Sequence, residues 1–355
     1  SGNVLTSNGT TWSSTAPAAG GATSINGLSD GYNDTSSLGL GTDALANDDG
    51  SDNQNIAVGT EALTANTSGW KNTAVGYHAL QGNVTGLANC SFGHLSAINI
   101  TTGGYNVAVG LGAAYDTTTG SYNTAIGSSA LRGNTTGIYN TAIGQWALYN
   151  KTTGNHNTAS GWKSGLGLTT GDENTFYGHN SGAGVTTGLQ NTFIGKEAGL
   201  TAGITGYRQT CLGANSNPSS TSVNDEVTLG SSTTGSLRCQ VTTITSLSDE
   251  RDKTDITDLD AGLDFINCLR PVDFTWNMRD GGKVGIPDVG FIAQELQQAQ
   301  ITNNKVIPQL IMDENPDKLE AGYGALLPVM VKAMKELSAK NDALEARLAV
   351  LEETT

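Results

Sequence analysis

The chain has 355 residues, 47 of them glycine, with only 14 % charged and 6 % aromatic residues and a net charge of −15. Eighteen Lys and Arg against 33 Asp and Glu make a poor electrostatic match to nucleic acid or an anionic membrane surface, and no apolar run reaches the ~18 residues of a membrane span. Residues 1–247 hold 20 charges and 40 glycines, whereas 248–355 hold 31 charges and 7 glycines, so two different kinds of polymer meet near residue 247.

Residues 1–36 show no repeat and read as a leader or linker. From residue 37 to 216 the chain repeats. Asn55, Asn72, Asn89, Asn106, Asn123, Asn140, Asn157, Asn174 and Asn191 follow one another at intervals of 17. Each is followed four residues later by glycine, from Gly59 to Gly195, and most are preceded three residues earlier by another, such as Gly120 or Gly137. The unit reads N-T-A-(V/I)-G-x-x-A-L, a variable stretch, then T-T-G. Weaker copies at Gly41 and Gly213 bring the array to roughly eleven units. Seventeen residues cannot bury a core alone, but they suit one coil of a β-solenoid built from two short strands and two turns. The A-(V/I) and A-L positions are expected to stack into an inner column. Glycine supplies positive φ at the corners, and recurring Asn forms ladders. Eleven coils at ~4.8 Å each make a rod of about 50 Å. Its inward residues are small, so three chains are expected to pack side by side.

This unit resembles the head repeats of trimeric bacterial adhesins and similar repeats of phage tail fibres, although adhesin repeats are commonly shorter than 17. Asn3–Ser14 is also similar to short segments of phage fibre proteins. Pro218 and a serine cluster break the phase. Residues 217–247, with Val227, Leu229, Leu237, Val241 and Ile244 and turns at Gly230 and Gly235, read as a β-rich neck.

At the boundary stands Ser248-Asp249-Glu250-Arg251-Asp252-Lys253-Thr254-Asp255-Ile256. Read from the residues alone, Ser248 is either a helix N-cap before an acidic first turn or a nucleophile. Four ordered blocks resemble the C-terminal intramolecular chaperone domains that cleave themselves from phage tailspikes and fibres. They are the S-D-x-R-x-K motif at Ser248, Asp249, Arg251 and Lys253 with Ile256, then Leu269-Arg270-Pro271-Val272 with Phe274, Gly290-Phe291-Ile292-Ala293-Gln294-Glu295, and Tyr323, Leu326 and the helix Val329–Leu337. Asp252 departs from the pattern, standing where many members carry an apolar residue. The resemblance implies cleavage of the Leu247–Ser248 bond, with Ser248 as nucleophile, Lys253 as general base, and Asp249 and Arg251 in support. A serine hydroxyl is weak until a base removes its proton, and lysine is a base only as the free amine, which desolvation or a nearby cation such as Arg251 favours. At i and i+5 the two side chains lie roughly 140° apart on an α-helix and on opposite faces of a strand. They meet only through an irregular turn, or through Lys253 of a neighbouring chain. Cleavage would then wait for correct folding.

The end of the chain reads as a trimeric coiled coil over 325–353. Leu327, Met330, Met334, Leu337, Asn341, Leu344, Leu348 and Leu351 alternate in steps of 3 and 4, with Asn341 at an a position; the competing expectation is a helix packed on its own domain. Elsewhere, Tyr105, Tyr122 and Tyr139 share one phase and should stack. With Trp146 and Trp162 they offer either a sugar-binding face or plain packing. Asp48-Asp49-Gly50-Ser51-Asp52 breaks the EF-hand pattern and reads as a solvated acidic loop. Cys90, Cys211, Cys239 and Cys268 are far apart and lack C-x-x-C spacing, so free thiols are expected. His78, His94, His156 and His179 lack metal-site spacing, and neither metal nor cofactor is expected.

The whole is expected to be mainly β: a trimeric solenoid rod followed by an α+β chaperone domain, 248–355. The resemblance implies a viral tail fibre or tailspike, assembled in the host cytoplasm as a homotrimer and carried on the virion, whose rod attaches to a host cell-surface glycan or receptor. Its enzymatic act is one autoproteolytic event. A bacterial trimeric surface adhesin is the alternative. A glycan-degrading spike would need paired carboxylates in a groove, and the coils hold few acids.

Overall fold

Twelve three-residue strands recur along the repeat region, from Leu38–Leu40 through Thr73–Val75 and Thr141–Ile143 to Val227–Leu229. They form one parallel sheet in sequential order, so about eleven coils separate the first from the last. Register is strict: Thr141 faces Thr124 on one side and Thr158 on the other. The structure, a computed structural model, describes residues 4–7, 12–15, 31–33, 36–49, 51, 53–234, 248–279, 283–313, 317 and 319–353. The chain divides into two compact units, Ser1–Ser231 and Ser232–Thr355.

Each coil has one strand, not two. The rest of the coil runs through turns in which non-glycine residues take left-handed φ: His78 at 57°, Leu80 at 51° and Ala88 at 55° in a single coil. The repeat glycines behave as expected. Gly127 has φ 130°, and a Cβ there would lie 2.6 Å from the Gly144 carbonyl carbon, so both conformation and coil-to-coil approach require glycine.

The inner column also differs from expectation. Ala125 and Ala142 of the A-(V/I) pair are fully buried, but Ile126 and Ile143 are 39 % and 42 % exposed. Neighbours on a strand face opposite sides, so the alanine points in and the valine or isoleucine points out. In A-L, by contrast, both members are buried, as at Ala130 and Leu131. The left-handed φ of Leu131, 53°, takes this pair out of strand geometry.

Two late coils exchange volume between positions. Where alanine becomes Phe176 and Phe193, the position of leucine becomes Gly182 and Gly199. A Cβ on Gly182 would lie 2.3 Å from the Phe176 ring, and one on Gly199 would lie 2.1 Å from Phe193. Core volume is thereby kept, the substitution pattern that close packing tolerates best.

The repeated asparagines are fully buried and form a continuous ladder. In each step the backbone N–H of one Asn donates to the side-chain oxygen of the Asn one coil earlier, as from Asn123 to Asn106 at 3.0 Å. Its Nδ2 donates to a glycine carbonyl, as from Asn123 to Gly137 at 2.8 Å. The ladder outlasts the 17-residue phase. Ser37 Oγ accepts from the Asn55 N–H, and Gln209, one residue out of phase, donates its own N–H to Asn191 Oδ1 at 2.9 Å. The sheet accordingly continues past residue 216 to Val227–Leu229, which pairs with Thr210–Leu212. It also begins within 1–36, where Gly31–Asn33 pairs antiparallel with Leu38–Leu40 and covers that edge. The neck residues Gly235, Leu237, Val241 and Ile244, and Cys239, lie outside the described residues.

A second buried column runs Asn66, Asn83, Ile100, Thr117, Asn134, Lys151, Leu168, Val185 and Ile204. Lys151 is fully buried and its ammonium donates to the Gly154 carbonyl. Burial pulls its pKa from 10.5 down to about 8, with Asp172 opposing. Below that folded value the full cost of burying the charge is present, about 3 kcal/mol. Between about 8 and 10.5 only the unfolded chain holds the proton, so stability climbs with pH across that window. Lys151→Leu should remove the climb and stabilise the rod near pH 7 by about 2–3 kcal/mol. Gly154 O keeps a donor in Asn140 Nδ2. Denaturant unfolding of both proteins at pH 7.5 and pH 10 checks this; a wild-type midpoint that does not move with pH would refute it.

The second unit is a small α/β assembly. Helix α1 (Leu263–Asn267) precedes an antiparallel pair, Val272–Asn277 with Val284–Gly290. Helix α2 (Ala293–Asn303) and a two-residue pair, Ile311–Met312 with Glu320–Ala321, lead to the long helix α3 (Leu326–Glu353). Phe265, Leu296, Ala299, Ile307, Leu310, Leu326 and Val329 form its core. Glu336 of α3 accepts from the Leu263 N–H at 2.7 Å, which caps α1 and holds the Glu336 carboxyl below its ordinary range. Beyond this contact α3 is exposed, and Leu327, Met334, Leu337, Leu344, Leu348 and Leu351 of the expected seam are each more than half accessible.

Candidate active site at Ser248

The segment after residue 247 is an irregular turn. Asp249, with extended φ and ψ, caps a single 3-10 turn over Glu250–Asp252, and its Oδ1 accepts from the Arg251 N–H at 2.9 Å. The N–H of Lys253 donates to the Glu250 carbonyl at 3.1 Å and ends the turn. Asp249, not Ser248, is therefore the cap, and Ser248 stands one residue outside it. This reversal brings the i and i+5 side chains together. Lys253 Nζ lies 2.7 Å from Ser248 Oγ and 3.2 Å from the Ser248 carbonyl oxygen. Neither a helix nor a strand allows that contact, and it forms within one chain.

Arg251 folds back on the cap. Its Nη2 donates to Asp249 Oδ2 at 2.6 Å and its Nε to Oδ1 at 3.0 Å, a two-point grip. Arg251's side chain first, and its backbone N–H second, hold the Asp249 carboxyl below its usual range, and Asp249 raises the guanidinium in turn. A depressed carboxyl supports the turn above its ordinary pKa and loses that support only as pH falls through the lower folded value, so the grip persists at neutral pH. The pair is exposed, with the Arg251 side chain 88 % accessible. Ser248 to Lys253 are all exposed. Arg251, the cation expected to ease proton loss from Lys253, is thus already neutralised by Asp249. Leu247, which carries the carbonyl to be attacked, lies outside the described residues.

The remaining blocks converge in the fold. Arg270 Nε donates to Glu295 Oε2 at 3.1 Å, joining the second block to the third. Tyr323 of the fourth exchanges hydrogen bonds with the Phe291 backbone N–H and carbonyl of the third, both at 3.2 Å, and their rings meet edge to face at 5.5 Å. No motif spacing foretold these contacts, which link residues 25 and 32 apart.

In the rod, Tyr105, Tyr122 and Tyr139 stack as expected, at 4.9 and 4.8 Å with planes within 9°. His156, missed in the sequence, extends the stack at 5.1 Å. Cys90, Cys211 and Cys268 are free thiols, and burial pushes Cys211 up to about 12. Among the described residues no three His, Cys, Asp or Glu side chains converge as a metal site, and no helix is long and apolar enough to cross a membrane.

Residues 248–308 match the family model for the chaperone of endosialidase, a peptidase family. The match opens on Ser248 itself. No curated protein and no solved structure matches the chain. The family match and the solenoid of about eleven turns together fit a tailspike-like protein with a C-terminal chaperone.

Proposed function

We propose that this chain is the attachment rod of a viral tail fibre or tailspike, joined to a chaperone that assembles three copies and then severs itself at Leu247–Ser248. One observation carries the reading. The family match begins at a serine whose hydroxyl touches a lysine amine, in the part of the chain that follows a repeat rod. Lys253, as the free amine, takes the Ser248 hydroxyl proton. Oγ then attacks the Leu247 carbonyl carbon, the C–N bond breaks, and the Ser248 nitrogen takes a proton. Water hydrolyses the resulting ester, returning the hydroxyl to Ser248 and leaving a carboxylate on Leu247.

Three chains are favoured by two exposed apolar stripes. On the rod, Phe92, Val109, Ile126, Ile143, Ile194 and Leu212 project outward at one position of successive or nearby coils, each about two-fifths exposed. On α3 the seam is bare. Exposed apolar side chains aligned in this way mark an interface. Pairing three identical solenoids is a register problem, since a slip of one coil superposes every strand on an equivalent one; a helical clamp at one end resolves it. Once the clamp leaves, an unfolding barrier holds the rod. Assembly also supplies what the single chain lacks at Ser248. The amine is open to water and its neighbouring cation is engaged by Asp249, so a second chain must dry the site before cleavage. Coupling cleavage to assembly follows.

Mass analysis of the purified product tests this. The expected result is fragments of 247 and 108 residues, the smaller with Ser248 at its N-terminus. Before cutting, the complex should sediment at three times the chain mass of 36.5 kDa. A stable monomer, or a first residue other than Ser248, would refute the proposal.

A further inference from the structure

The rod repeats one backbone geometry, so a side chain that departs from its column's habit is not demanded by packing. Past the glycine corner that ends each strand lie two outward columns. Early coils put Tyr77 and His94 in the first column and His78 in the second, and these rings stack; in the coils between, the first takes Leu111, Ser128 and Gln145, and the second takes Gly112 and Ser129. Against that background stand Trp146 in the second column, Trp162 and Lys163 side by side, and His179 in the first. Three successive coils present flat rings: Trp146 and Trp162 have centroids 6.1 Å apart, and His179 stacks on Trp162 at 4.7 Å. Lys163 Nζ lies 4.2 Å from the Trp162 ring centre and 5.1 Å from that of Trp146. Each contact is a cation–π pair.

Lys163 pairs with no carboxylate among the described residues, and neither indole N–H has an acceptor there. This leaves a charge and two donors beside half-buried aromatic faces. In the coil after His179, Lys196, in the same column as Trp162 and His179, is already paired with Glu197 at 3.5 Å, which leaves Lys163 as the cation of the strip without a carboxylate partner. Positive charge is scarce: residues 1–247 hold only 7 Lys and Arg. Arg208, a further exposed rod cation, is likewise gripped by Asp225 at 2.8 Å.

We propose that this strip is a binding site for an acidic glycan, one bearing uronic or sialic acid carboxylates. A sugar ring offers a face of C–H groups that packs on an indole while its hydroxyls accept from the ring N–H. The carboxylate takes the place that no protein acid fills at Lys163. Successive rings along the rod, with Lys163 beside two of them, suit successive sugars of one extended chain. The inference rests on the reading of the rod as an attachment organ and names the ligand class that it attaches to.

The test uses the full chain on an array of uronic-acid, sialylated and matched neutral oligosaccharides. Two variants borrow residues that the same columns already hold in other coils, Trp162→Gln and Lys163→Ser, so the fold is kept. Expected are retention on one or both acidic sets over their neutral counterparts, weakening with added salt, and at least a tenfold loss in either variant. Retention on the uronic or the sialylated set alone identifies the source of the carboxylate. No acidic ligand retained, equal retention of neutral ligands, or variants that bind like wild type would each overturn the site. Adhesion to bacterial cells separates the two readings: adhesion that both variants keep removes the strip and leaves attachment standing, whereas no wild-type adhesion removes both.

Discussion

Ser248→Ala should leave the chain at 355 residues, because the proposed cleavage then has no nucleophile. Loss of the nucleophile alone does not identify the base, and Lys253→Arg does. Arginine keeps the positive charge and the reach, so the turn and the assembly persist, but a guanidinium cannot give up its proton. Cleavage should fall by ~10²–10⁴, with sedimentation unchanged. Were Lys253 only a structural contact, the arginine variant would cut normally. Asp249→Ala removes both the cap and the grip on Arg251. It should slow cleavage without abolishing it, since Ser248 and Lys253 remain but the turn that joins them is less populated. Incubation over hours, followed on a denaturing gel, distinguishes the three variants. Full cleavage of Ser248→Ala would remove the serine from the mechanism.

Why the turn was only half legible is plain from its spacing. Five residues separate Ser248 from Lys253, and regular secondary structure keeps such a pair apart. Read alone, the residues allow either a cap or a nucleophile, and the resemblance to the family motif favours the second. The cap proved to be Asp249, one position on, which frees Ser248 to face Lys253. Likewise Arg270 and Glu295 lay in separate blocks, and only the folded chain joins them. The rod is more legible because each of its features recurs in about eleven coils. Its period, corner glycines and Asn ladder followed from the 17-residue phase. The inward A-(V/I) column did not, since two adjacent apolar residues look alike in sequence and only strand alternation separates them. Ser37 and Gln209 escaped notice for a different reason: one-residue insertions put them out of phase, yet their side or main chains still reach the ladder. Left-handed leucines and tyrosines carry no sequence mark at all, because the neighbouring coil's hydrogen bonds, not propensity, hold them there.

The ladder sets the other large expectation. Asn123→Leu should destabilise the rod by about 3–5 kcal/mol per chain. Asn123 Oδ1 accepts from the Asn140 N–H at 3.0 Å, and its Nδ2 donates to the Gly137 carbonyl at 2.8 Å and to Asn106 Oδ1 at 3.1 Å. Leucine fills a similar volume but leaves the buried Asn140 N–H without its acceptor, while the Gly137 carbonyl loses one of two donors and keeps Asn134 Nδ2 at 3.1 Å. An unpaired buried backbone group is rare because it is costly. Asn123→Asp gives a sharper comparison. It keeps an acceptor for Asn140 but loses the donor to Gly137 and buries a carboxylate, so it should be weaker than wild type at pH 7 and recover part of the loss in acid, where the carboxyl is neutral and donates again. Thr119→Ala, on the exposed Thr-Thr corner, should change stability by no more than about 0.5 kcal/mol. Because coils contact only their neighbours, hydrogen exchange should quicken first in the coils around Asn123 and fade toward both ends. Uniform protection along the rod in the leucine variant would show that the ladder carries no such energy.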